Sequence, residues 1–363
     1  MIQLFYFIYI SHLQNYTIFH NTSISTKKSQ PKIVSFSCTP QQNRYFFCTS
    51  TLFVVILLHR FLVVESVINI FVMDSKLINS KLTFGQRLTL LFSCFILGLI
   101  MTTLFVLIIN STSLAPQKGI IISTVLQNVI AFILPAAITV VFISSNALQF
   151  LQLHKAPSLK AIAAMIGTYL VMIPAFNLLV DWNKGITFPE SLSAIEQYLR
   201  AAENAAEAVT NSLIQNNGPL ALILVILTVG VLTGFAEEVF FRGALLRIFE
   251  SRPVRIHAAI WITAVVFSAM HMQFFGFFPR IVLGALFGYA LWWSGSLWVP
   301  IIGHILNNSM VVILNHIHTP GTPPLAIDTI GITNGFPWLA LASACATIAL
   351  AVFLSRYFKR IIA

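Results

Sequence analysis

Apolar runs of about twenty residues recur through most of the chain, at 88–109, 120–144, 159–180, 220–249, 257–272, 280–294, 297–315 and 336–358. A helix of about twenty residues covers the roughly 30 Å of hydrocarbon in a bilayer. With no water there to satisfy backbone polar groups, each segment must close its own hydrogen bonds, and the helix does so. The expected fold is therefore all-α: a polytopic membrane bundle of about eight transmembrane helices. Only 9% of residues are charged, against about 25% in a soluble domain. In such a chain the net charge of +10 does not indicate nucleic-acid binding; what matters is where the basic residues lie. Pro135 is expected to kink the second span. The polar stretch 181–217 carries Leu192, Ile195, Leu199, Ala202 and Ala206 at three- and four-residue spacing. That pattern predicts an amphipathic helix along the membrane surface, starting after Pro189.

Charge orients the bundle. With residue 73 inside, the inner segments carry eleven basic residues: Lys76, Lys81, Arg87, Lys155, Lys160, Arg247, Arg252, Arg255, Arg356, Lys359 and Arg360. The outer segments carry four: Lys118, Lys184, Arg200 and Arg280. This bias predicts a multi-pass protein of the cell membrane with both ends of 73–363 cytoplasmic. Trp292, Trp293 and Trp298 flank a short turn, as interfacial aromatics do. Cys38, Cys48, Cys94 and Cys345 show no metal-ligand spacing. Cys94 and Cys345 fall within spans and read as packing residues.

Charges inside the spans narrow the function. No charged residue occurs between Ala208 and Ala236, and then Glu237, Glu238 and Arg242 follow within six positions. Ionisable groups at bilayer depth are costly and point to function. Glu238 and Arg242, four apart on a helix, can neutralise each other. Glu237 points about 100° away, and a buried carboxylate without a partner implies a chemical task. His271 ends one later span, and His304 and Asn308 share a face of another. Each position lies roughly 16–22 Å along its helix from a basic or tight turn, so an antiparallel arrangement sets them at similar depth. A desolvated carboxylate can deprotonate water, imidazoles can hold that water or act as acid or base, and an amide N–H can stabilise an oxyanion. Together these groups suit hydrolysis of an amide or ester. There is no Gly-x-Ser-x-Gly elbow, and no cysteine beside a histidine in these spans to serve as a covalent nucleophile.

Three motifs in order, Glu237-Glu238-Val-Phe-Phe-Arg242, Phe267-Ser-Ala-Met-His271 and His304-Ile-Leu-Asn-Asn308, resemble the EExxxR, FxxxH and HxxxN pattern of the CAAX protease and bacteriocin-processing (CPBP, Abi) family of intramembrane endopeptidases, related to the Ras-converting CAAX prenyl protease. The resemblance covers about 218–318. It implies Glu237 as general base, Glu238 and Arg242 as supporting groups, His271 and His304 positioning water or substrate, and Asn308 stabilising the oxyanion. It also implies a cavity reached from the cytoplasmic side. The implied partners are membrane lipids and a protein or peptide substrate that can carry a lipid, with no nucleic acid. No cofactor is expected. If zinc is bound instead, Glu237, His271 and His304 are the ligand set, although a His-Glu-x-x-His helix is absent. Two other classes compete. In a non-catalytic immunity or scaffold protein of the same fold, the polar cluster is a structural network. In a transporter, buried carboxylates and histidines are equally natural, but no repeated half is seen.

Residues 1–72 differ from the remainder. They are rich in Phe, Tyr, Ile, Asn, Ser and Thr, and lack a basic segment ahead of the apolar start MIQLFYFIYI. Residues 52–72 resemble a span but are interrupted by Arg60 and Glu65. The expectation is that 1–72 is an upstream extension, disordered or not natively translated, and that 73–363 is one transmembrane domain. Mass spectrometry of the purified protein is expected to find Met73 as the first residue; peptides from 1–72 would overturn this.

Overall fold

The computed structural model describes residues 82–112, 116–214, 218–250, 255–318, 325–333 and 335–362; the expectation for 1–72 lies outside them. Nine principal helices run through these residues: α1 Phe84–Asn110, α2 Gln117–Ile143, α3 Leu159–Lys184, α4 Ser193–Ile214, α5 Pro219–Glu250, α6 Ile256–Ala269, α7 Phe277–Ser294, α8 Trp298–Ile317 and α9 Trp338–Ile362. Seven are long and apolar enough to cross a membrane. The eighth apolar helix, α6, has 14 residues and so spans about 21 Å. Its expected last turn is replaced by a connection in which Met272 takes a positive φ of 55°. The chain is a multi-pass, all-α membrane protein.

Local sequence sets the helix ends. Thr83 and Gln86 form a reciprocal capping box at the start of α1, and Ser158 caps α3 by accepting from the N–H of Ala161. Gly295, left-handed at φ 60°, ends α7 and allows the tight turn into α8. Three stretches are wound as π-helix: Asn128–Ile133 in α2, and Ile226–Leu232 and Val239–Leu246 in α5. The first lies just before Pro135. It is the form taken by the expected irregularity, since proline supplies no N–H to the preceding turn.

Lipid-facing and protein-facing sides separate by packing rather than by polarity. Ile96, Ile100, Leu107 and Ile108 of α1 and Ile348, Val352 and Phe353 of α9 are exposed. One core joins α1, α2, α5 and α6. In it Phe240 stacks edge-on or tilted against Phe95, Phe132 and Phe241, with ring centres 5.1–5.5 Å apart. A second core joins α3, α7, α8 and α9, and it takes in Trp293. Trp293 is thus an interior residue and not the interfacial anchor expected; Trp298, which donates to the carbonyl of Leu153 at 2.9 Å, stays partly exposed. Cys345 faces outward from α9 and does not pack as expected.

The amphipathic stripe of α4 divides. Ala206, Val209 and Leu213 are buried against the bundle, while Leu192 and Ile195 near its start are exposed. Gln117 of α2 donates to the carbonyl of Ser212 at 3.4 Å, and the guanidinium of Arg200 lies 4.0 Å over the ring of Phe275. Half of the expected surface helix is therefore a protein-packed cap. At its other end the backbone N–H of Phe188, together with Arg200, holds the Glu196 carboxyl below its usual range.

Two close approaches build the interior around α5. At Gly230 and Gly234 a Cβ would meet Ser309 Oγ at 2.4 Å and the Ile305 backbone nitrogen at 3.1 Å, so this small-xxx-small face lets α5 lie directly on α8. Two turns on, Arg242 is fully buried; it donates to Glu238 Oε1 at 2.6 Å and to the carbonyl of Gly284 on α7 at 2.8 Å. Arg242→Leu leaves Glu238 as an uncompensated buried charge, which costs about 3–5 kcal/mol. Thermal unfolding of the purified protein should show a large loss of stability or failure to fold; a wild-type melting curve would refute this account of the tie.

Candidate functional site

The consecutive residues Glu237 and Glu238 take different positions. Both belong to the α-helical segment Thr233–Glu238, which lies between the two π-helical stretches of α5. Glu238 is fully buried, and its Oε1 receives both Arg242 and His304 Nδ1, the latter at 2.7 Å. Glu237 is also buried, but no other described residue hydrogen-bonds to it; its nearest polar neighbour is His304 Nε2, 3.7 Å from Oε2. His304 thus lies between the two carboxylates. Because Nδ1 faces the Glu238 carboxylate, it carries the proton, and Nε2 presents a lone pair toward Glu237.

Aromatic rings hold the imidazole. Phe287 stacks on His304 with ring centres 4.9 Å apart and 24° between planes, and Phe267 meets it edge-on at 5.9 Å. Phe267 and Phe287 also face the Arg242 guanidinium, at 4.7 and 5.5 Å respectively. The expectation of a self-neutralising pair therefore matches the geometry of Glu238 and Arg242, and the pair also orients His304. His271, in the connection just after α6, points its Nδ1 at the carbonyl of Phe267 at 2.8 Å, which leaves its Nε2 as acceptor.

Asn308 is oriented by a relay that sequence inspection missed. Tyr169 on α3 donates to Asn307 Oδ1 at 3.1 Å, Asn307 donates to Asn308 Oδ1 at 3.1 Å, and Asn308 Nδ2 donates to the carbonyl of Val229 at 3.3 Å. Val229 lies in the first π-helical stretch of α5, where the altered winding changes which carbonyls are free. The only sequence sign of the relay was the second asparagine beside Asn308.

Glu237, His271, His304 and Asn308 line one cavity of about 330 Å³. Glu238 and Arg242 lie behind its wall. Also lining it are Asn128 and Thr233, hydrogen-bonded to each other at 2.9 Å across α2 and α5, Thr210 of α4, Gln273, and Arg280 at the start of α7. The cavity therefore sits toward the end of the bundle that α4 caps, opposite the end bearing Arg247 and Arg255. This differs from what the sequence implied. The charge count assigns the α4 end to the outside, whereas the resemblance implied entry from the cytoplasm; the two do not agree, because α4 and the α6–α7 connection both border the site.

The fit to a metal is poor. Glu238 beneath His304 is the kind of support a zinc-binding histidine receives, but zinc needs three or four protein donors. Among the described residues no group of three or more His, Cys, Asp or Glu is placed to share an ion. The set Glu237, His271 and His304 is thus not assembled as a ligand shell.

No curated protein and no solved structure matched the chain. A family model did: the one described as Rce1-like, type II CAAX prenyl endopeptidase, matches residues 219–310. That segment runs from the start of α5 to the middle of α8 and contains Glu237, Glu238, Arg242, His271, His304 and Asn308. Over this segment, about a quarter of the chain, the sequence is similar to the CAAX prenyl endopeptidase family.

Proposed function

We propose that the chain is a glutamate-dependent intramembrane endopeptidase that hydrolyses peptide bonds in membrane-associated proteins or peptides, with lipid-bearing chains among its substrates. The observation that carries this reading is the separation of the two carboxylates: Glu238 Oε1 receives both Arg242 and His304 within the wall, while Glu237 faces the cavity with no hydrogen bond from the described residues. In a purely structural network the 3.7 Å gap between Glu237 and His304 would be expected to close, so the scaffold reading is disfavoured.

A water held between Glu237 Oε2 and His304 Nε2 donates one hydrogen to each. Glu237 takes its proton as the water oxygen bonds to the substrate carbonyl carbon, and the carbonyl π electrons move to oxygen. The free N–H of the Asn308 amide donates to that oxyanion; a well-placed donor of this kind is worth about 2.7–4 kcal/mol. Collapse of the intermediate breaks the C–N bond, and the proton on Glu237 passes to the departing amine. His271, with its Nε2 open to the cavity, accepts a substrate amide N–H and positions the chain. Glu238 and Arg242 act through His304 and are positioning residues.

No cofactor is invoked, and no step uses a metal. The partners are membrane lipids and the substrate; nucleic acid has no role. With both ends of 73–363 in the cytoplasm, as the basic residues favour, the cavity serves substrate from the opposite side of the membrane.

Glu237→Gln keeps size and shape while removing the base. It is expected to melt like wild type and to lower cleavage by roughly 10²- to 10⁴-fold, with uncut precursors accumulating in membranes that carry it. Wild-type cleavage rates in the variant would end the proposal. Activity should also persist after treatment with a strong chelator; loss that added zinc restores would replace the glutamate mechanism with a metal one.

A further inference from the structure

A second cavity, of about 350 Å³, lies between α3, α6, α7 and α9 and shares no residue with the one around Glu237. Three of its lining residues, Trp261, Ile348 and Val352, are exposed, so it is a groove open sideways to lipid. No acidic residue lines it. The hydroxyls of Thr168, Thr347 and Ser355 in its walls donate to carbonyls of their own helices, at 2.7–2.8 Å, which leaves the walls apolar in effect. Along α7 the lining runs from Val282 to Trp293, a rise of about 16 Å. That is half of the roughly 30 Å hydrocarbon core, so the groove has the depth of one leaflet. It reaches the start of α6 and the end of α7, at the end of the bundle that bears Arg255 and that the basic residues assign to the cytoplasm.

At that end the groove meets donors. His257 Nδ1 and the Tyr289 hydroxyl are hydrogen-bonded at 2.9 Å. In either tautomer the pair keeps one donor to spare, the imidazole Nε2–H or the phenol O–H. The indole N–H of Trp293, buried in the wall, has no acceptor among the described residues. Arg255 stands two residues before His257, and Arg356 directly follows Ser355. Both arginines are exposed, and none of the ion pairs among the described residues involves either. An apolar slot one leaflet deep, with guanidiniums and a spare donor at its mouth, complements an apolar chain that carries an anionic head. The arginine fork matches phosphate oxygens by paired, charge-assisted hydrogen bonds, and basic pockets between helices on the cytoplasmic side hold anionic headgroups by the same attraction. A neutral lipid would leave that charge unused.

We propose that this groove binds an anionic phospholipid, with one acyl chain along α7 between Trp261 and Val352 and the phosphate held by Arg255, Arg356 and the His257–Tyr289 pair. A glycerol ester at that depth is the acceptor that Trp293 lacks. The lipid then bears on α7, the helix whose Phe287 stacks on His304 and whose Gly284 carbonyl accepts from Arg242, so it steadies the support of both. Binding does not depend on the endopeptidase reading.

The test uses the full chain, freed of lipid in detergent, and phosphatidylglycerol with a photoreactive acyl chain as probe. Its crosslinks should map to residues of α6, α7 and α9 that line the groove. Dioleoyl phosphatidylglycerol should compete about 10- to 30-fold more effectively than dioleoyl phosphatidylcholine, which has the same chains. Arg255→Gln combined with Arg356→Gln should erase that preference. Arg87→Gln, at the same end but on α1, which does not border the groove, should leave it intact; this separates a local contact from the charge of the whole face. Val352→Trp, which fills the slot from an exposed position, should abolish labelling of the groove. Labelling of the unmodified protein decides the matter even where a variant fails to fold. Crosslinks scattered around the bundle, equal competition by the two lipids, or an equal loss of preference in Arg87→Gln overturns the proposal. So does displacement of the probe by a sterol or a prenylated peptide at concentrations where phosphatidylglycerol does not compete, since the groove then has another occupant. None of these outcomes bears on Glu237, whose Gln variant should label as the wild type does.

Discussion

A guanidinium with no exposed surface in the middle of a lipid-embedded bundle sets the terms for everything around it. Arg242 meets the Glu238 carboxylate, the carbonyl of Gly284 and the faces of Phe267 and Phe287. Those contacts come from α5, α6 and α7, and Glu238 extends the set to α8 through His304. Four helices are thereby held in one arrangement. A buried pair of this kind contributes little net stability compared with an apolar core, yet it is unforgiving of the loss of either partner. Its value here is definition: it fixes the tautomer and direction of an imidazole.

The consequence for the neighbouring carboxylate follows directly. Because Glu238 absorbs the arginine, Glu237 is left without a counter-charge and turned toward open space, one helical step around. Adjacent identical side chains thus take opposite places, one as a fixed anion in the wall and one facing the cavity, where the proposed mechanism uses it as a base. The glycines at 230 and 234 make this possible by bringing α5 onto the α8 backbone, without which His304 could not reach both.

Much of this could be read from the residues themselves. The apolar runs located the spans to within a few positions, since transfer into lipid is a property of composition. The spacing of Glu238 and Arg242 announced their pairing because four residues on a helix bring side chains together. What could not be read depends on contacts between distant segments. Hydropathy does not tell whether an apolar stripe meets lipid or protein, so α4 read as a surface helix although Ala206, Val209 and Leu213 pack inward. Trp293 likewise reads as interfacial from its neighbours, yet turns into the core. Arg280 was counted only as an outer charge, because nothing local reveals that the chain folds back to put it beside Glu237. The Tyr169–Asn307–Asn308 relay joins residues 138 positions apart, beyond any periodicity.

The π-helical stretches of α5 carry one more implication. A wide turn behaves as a single inserted residue absorbed within a continuous helix. The segment holding the glutamates lies between two of them, so its angular phase is decided by where those insertions sit. Rewinding 226–232 as ordinary helix without removing a residue would swing the acidic pair by up to about 100°, away from α8, with every motif residue still present. The number of residues in this helix is thus constrained as tightly as the identities of its acids.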